Sequence, residues 1–156
     1  MKLTNQFSRI AYTYNIKVQG PGNLNKALAL AMKFIQATNP SLSKGVGSVE
    51  SGNQAYGHYD PNKDDFDLNK ATTPVYVNVN RIQSERMDDL NRLLSEASTI
   101  IHEMTHHQIA NKNKQKGIDI HHSESQPIQA QNQFMSWVKS MKNSLLKEFP
   151  ELQHMS

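Results

Sequence analysis

Leu93-Leu94-Ser95-Glu96-Ala97-Ser98-Thr99-Ile100-Ile101-His102-Glu103-Met104-Thr105-His106 is the stretch on which the reading of this chain turns. Leu90, Leu93, Leu94, Ala97, Ile101 and Met104 recur at helical spacing, which predicts a helix with one apolar stripe toward the core. The pattern starts near Ser84 and reaches about Asn111, with a break expected near Ser95. His102-Glu103-x-x-His106 lies inside it.

Positions i and i+4 share a helix face, one turn apart. Two imidazoles so placed reach one Zn²⁺ at about 2.0–2.1 Å. Glu103 stands about 100° around the axis, beside an ion rather than on it. A carboxylate there can take a proton from a water that the metal acidifies toward a pKa of about 7, then pass it to a leaving amine. The metal would polarise the scissile carbonyl. The chemistry expected is zinc-dependent hydrolysis of a peptide bond, with His102 and His106 as ligands and Glu103 as general base. A zinc site needs a third protein ligand. His121-His122-Ser123-Glu124 follows, and His121, His122 and Glu124 all compete for that place. The plain alternative for this cluster is a polar loop, with Ser123 and Gln126 as a capping box.

Outward from this helix, the rest of the chain supplies a sheet and two more helices. Ile10, Tyr12, Tyr14, Ile16 and Val18 alternate with polar or small residues, a strand pattern that Gly20-Pro21-Gly22 breaks. Asn23 can cap a helix that carries Leu24, Ala27, Leu28, Ala31, Phe34 and Ile35 on one face and ends at Asn39-Pro40. Val46 to Val49 and Ala55 to Tyr59 read as short strands. Val75, Val77 and Val79 mark a stronger one. Asp60-Pro61-Asn62 and an acidic stretch join the last two as a hairpin with a long loop. Asp60-x-Asn62-x-Asp64 lacks the glycine and glutamate of a calcium loop and reads as a solvated acidic turn. A final helix carries Ile128, Phe134, Met135, Val138, Met141 and Leu145 and ends near Pro150, with Trp137 and Met141 expected in the core. Strand, helix, several strands, then two helices is an α+β order. The sequence reads as a single domain over 1–156.

Composition narrows the options. With 156 residues and no cysteine, disulfides and thiolate metal sites are excluded, and a bound metal must use His, Asp or Glu. No apolar run approaches the roughly 20 residues that span a bilayer, and the first ten residues lack the apolar core of a signal peptide. The expectation is a cytoplasmic protein without membrane association. Net charge is +3 with lysines dispersed apart from Lys112, Lys114 and Lys116, which reads as a solvated helix end rather than a nucleic-acid surface. The partner expected is a protein or peptide substrate, and the chain is expected to act as a monomer.

On the HExxH and the residues after it, the chain resembles the zincin superfamily, in its small gluzincin-like branch. Glu124, with Ile128 at +4 and Asn132 at +8, is similar to the ligand-bearing helix of that branch, and the resemblance implies Glu124 as the third zinc ligand. Pro127 departs from it, although proline is tolerated in a first helical turn. SprT-like domains, which are DNA-associated proteases, are the rival. His121 with Glu124 at +3 fits them loosely, and His122 stands where they have glycine. Ala55-Tyr56-Gly57-His58-Tyr59 and Val75-Tyr76-Val77-Asn78-Val79 resemble the strand pair before the active-site helix in both groups. The likeness covers residues 24 to 146 as architecture, and the HExxH is its sharp motif. It implies a zincin-like domain: a small mixed sheet packed on an N-terminal helix, the HExxH helix and a C-terminal helix. It also implies that one of the two strands binds an extended peptide. His107, His121, His122, Tyr56 and Tyr59 are candidates for stabilising the oxyanion. The competing function is a non-catalytic zincin-fold protein with a binding or structural role, for example in a phage or another large assembly.

Overall fold

Four strands and five helices make up the computed structural model, which describes residues 15–21, 23–148 and 150. In chain order these are β1 (Lys17–Gln19), α1 (Leu24–Thr38), β2 (Val46–Ser51), β3 (Gly57–His58), β4 (Thr73–Val77), α2 (Val79–Ser84), α3 (Asp89–Gln115), α4 (Ser125–Ser140) and α5 (Lys142–Glu148). The fold is α+β with a mixed sheet, in the order β1-β2-β4-β3. β1 and β4 flank β2 in parallel, and β3 pairs antiparallel with β4 as an edge. The expected hairpin with a long loop is therefore the β3–β4 pair. Of the strand predicted from Ile10 to Val18, residues 10–14 lie outside the described residues, and β1 takes up only its end.

β2 reads as buried along Val46, Gly47, Ser48 and Val49, as a central strand should. Gly47 sits where the β2–β4 register shifts between Val46 and Ser48. A Cβ there would lie 2.2 Å from the carbonyl oxygen of Ala71, so only glycine admits the passing chain.

α1 carries the apolar face predicted for it, and Ala29, Leu30 and Met32 are buried as well, so the helix is enclosed on more than one side. Asn23 stands at its N-cap, though its side chain makes no capping hydrogen bond. Phe34 meets Phe134 and Trp137 edge-on, each at 5.5 Å between ring centres, which ties α1 to α4.

Three boundaries differ from expectation. Val79 begins α2 instead of ending β4, because Asn78 turns its side chain onto the backbone N–H of Arg81 and caps a helix. α3 runs unbroken through Ser95 for 27 residues. The hydroxyls of Ser98 and Thr99 both donate to the Ser95 carbonyl, so these residues are satisfied without breaking the helix. The C-terminal helix divides at Met141 into α4 and α5, and α5 returns Leu145 to the core. Met141, expected in the core, is exposed, as are Ile128 and Met135, and Trp137 is half-buried. Among the described residues no helix is long and apolar enough to cross a membrane.

Candidate metal centre

α3 places His102 and His106 one turn apart, and α4 packs across it so that Glu124, at the head of α4, meets both rings. Oε2 of Glu124 lies 2.8 Å from Nε2 of His102 and 2.8 Å from Nε2 of His106. The ligand atoms of His102, His106 and Glu124 all fall within 4.8 Å of one another, a group that could hold a metal ion. Glu124 occupies the N-cap position, yet its carboxylate makes no capping bond and turns to the histidines instead. The capping box read at Ser123 and Gln126 does not form; Ser123 Oγ only reaches Ser125. A carboxylate at this end of a helix also gains from the helix dipole. Tetrahedral zinc donors stand about 3.3 Å apart. Glu124 is largely exposed, so it has room to yield by that small difference. Two imidazole nitrogens and a carboxylate oxygen are a donor set that suits Zn²⁺.

Of the other contenders for third ligand, His122 stands behind His106, with its Nε2 2.7 Å from His106 Nδ1 and its own Nδ1 2.8 Å from the Ile120 carbonyl. His121 is exposed and pairs with Asp119. Gln131, which sequence reading passed over, accepts from His102 Nδ1 at 2.9 Å. It lies seven residues after Glu124 and so on the same helix face. That spacing was the available signal.

Glu103 is 5 % exposed. Burial, reinforced by the charge of Glu124, pushes its carboxyl up to about 8. Burial lowers the basicity of the His106 ring and outweighs the opposing pull of Glu124. Glu124 itself is held below the usual carboxyl range: partial burial works against this, but the hydrogen bonds and charge of His106 and His102 prevail.

Edge strand β3 lies along α3 at this point. A Cβ on Gly57 would come within 2.5 Å of Thr99 Cγ2 and 3.2 Å of Glu103 Oε2, so glycine is what lets the strand approach. A cavity of about 730 Å³ lies between β3 and the head of α4, lined among others by Gly57, Thr99, Glu103, Glu124 and Ile128. The five oxyanion candidates are already engaged or placed elsewhere. Tyr56 donates to Glu85 and Tyr59 to Asp64. His121 and His122 have the partners given above, and His107 is buried against Asp64 on another face of α3.

That second face corrects the reading of the acidic loop. Asp64 is not solvated; its carboxylate accepts from Tyr59, Thr73, Asn111 and the backbone of Phe66. It fastens the β3–β4 loop to α3 below the histidines.

The fold and site together define an α+β domain with a His–His–Glu group that could hold a metal ion. Compared with protein-family models, curated proteins and solved structures, the chain matches none of them.

Proposed function

We propose that the protein is a zinc-dependent metallopeptidase, similar to the gluzincin-like zincins in its site, with His102, His106 and Glu124 as ligands and Glu103 as general base. One observation carries the reading: two histidine nitrogens and a carboxylate oxygen converge beside a buried glutamate, in a cavity bounded by a sheet edge. When bound, Zn²⁺ supplies Lewis acidity, acidifying water and polarising a carbonyl. Glu103 holds and moves the proton; a site for structural metal alone has no need of a buried carboxyl there. β3 is the edge at which an extended peptide would join the sheet as a further strand. Ile128, exposed at the cavity mouth, offers an apolar contact to a substrate side chain. A peptide is favoured over nucleic acid because the carboxylates of Glu85 and Glu124 line the cavity.

The test is Glu103→Gln. The variant is expected to bind one equivalent of zinc like the wild type and to lose at least about a hundredfold in cleavage of an unstructured protein substrate. Undiminished cleavage would sink the assignment of Glu103. Zinc bound by both proteins with cleavage by neither would favour the non-catalytic reading.

A further inference from the structure

The hydrogen bonds behind the two histidines have a direction that can be read from the groups at their far ends. Ser98 donates its hydroxyl proton to the Ser95 carbonyl at 3.1 Å, so its oxygen accepts from Gln131 Nε2 at 3.4 Å. The amide group of Gln131 is thereby oriented with Oε1 toward His102, and a carbonyl oxygen can only accept. His102 must therefore carry its proton on Nδ1. On the other ring, the Ile120 carbonyl accepts from His122 Nδ1. A neutral His122 then presents a lone pair at Nε2, and His106 must donate to it from Nδ1. Two unrelated chains of contacts, one anchored on a backbone carbonyl of α3 and one on the loop before α4, impose the same tautomer on both rings.

We infer that Gln131 and His122 are positioning residues that keep a proton on Nδ1 of His102 and of His106, so that each ring turns Nε2 toward Glu124 and Nε2 is the nitrogen left to bind a metal. The group bonded to one ring nitrogen decides the state of the other, and such partners raise the affinity of a metal site. This inference rests on the metallopeptidase reading for its purpose, but not for its structure. It also assigns His122 a place behind the site rather than in the metal's coordination. Three acceptors within 4.8 Å repel one another unless a cation or protons lie between them, which is why the relays favour metal binding.

The experiment has two arms on the full chain. In the first, ring-nitrogen NMR at a pH where the histidines are neutral is applied to metal-free Glu124→Ala, which removes the carboxylate that competes for the ring protons. His102 and His106 are expected as Nδ1–H. Adding Gln131→Leu or His122→Leu should release His102 or His106, respectively, to the Nε2–H form. In the second arm, zinc affinity is measured by chelator competition for Gln131→Leu and His122→Leu, each expected about 10–100-fold weaker than wild type. Gln131→Glu and His122→Gln keep an acceptor facing each ring and should recover most of that loss. Unfolding of the metal-free proteins shows whether the losses follow from misfolding. Nε2–H rings in the Glu124→Ala background, or leucine variants that bind zinc as wild type does, overturn the inference. Nδ1–H rings in a protein whose wild type binds no zinc would uphold the relays and overturn the metallopeptidase reading instead.

Discussion

Glu96 and Glu103 are acidic residues that α3 carries into the interior, at 2 % and 5 % exposure. For Glu103 the proposed proton transfer gives that burial a use. Glu96 has no such role, and its Oε1 has no hydrogen-bond partner. Burial pushes its carboxyl from 4.5 up to about 7. Its folded-state pKa is raised, so the folded protein prefers the protonated form. The stability this confers is complete below about pH 4.5 and is lost as pH rises toward 7, by about 3 kcal/mol. Glu96→Gln should remove this slope. In chemical denaturation the variant should gain about 2–3 kcal/mol on wild type between pH 5 and pH 8. An equal difference at both pH values would show that Glu96 titrates normally. His102→Ala, by contrast, should abolish stoichiometric zinc binding, read by metal analysis after dialysis, because two remaining donors do not complete a zinc site.

At the scale of elements, the decisive contact is that of β3 with α3. Gly57→Ala would put a methyl group against Thr99 and Glu103. Overpacking of this kind costs about 1–3 kcal/mol, and the strand must move away from the helix. The expected result is a lower Tm together with a rise in KM for peptides, since the displaced edge is the proposed docking strand. Unchanged KM in a folded variant would argue against strand addition at β3. The β3–β4 loop is fastened through Asp64, whose removal leaves Tyr59 and Thr73 without their acceptor and Asn111 with the His107 carbonyl alone. Asp64→Ala should cost about 3 kcal/mol or more, measurable as a shift of the urea midpoint.

For the whole molecule, the proposed metal site would link metal to fold. Glu124 and the histidines come from different helices, so an ion shared among them would hold α4 to α3. Zinc at about a hundred times its Kd should stabilise the protein by about 2.7 kcal/mol, and a chelator should reverse this and stop cleavage. A Tm indifferent to zinc and chelator would count against a site that spans the two helices.

The period of α3, the HExxH within it, the buried face of α1 and the β3–β4 pairing were all legible along the chain, because each depends on residues close in sequence and on the fixed geometry of helix or strand. Glu124 could be named as one of three contenders, and only a resemblance favoured it. The meeting of Glu124 with both histidines required the crossing of α4 over α3, which depends on Phe134 and Trp137 meeting Phe34, a hundred or more residues earlier. The same crossing brought Gln131 behind His102 and put His122 behind His106. The burial of Asp64 and the exposure of Ile128 and Met135 likewise depended on which faces found partners. Local spacing determined which residues could serve as ligands. Long-range packing decided which of them meet, because the distance between two side chains on separate elements is set by everything that lies between those elements in the core.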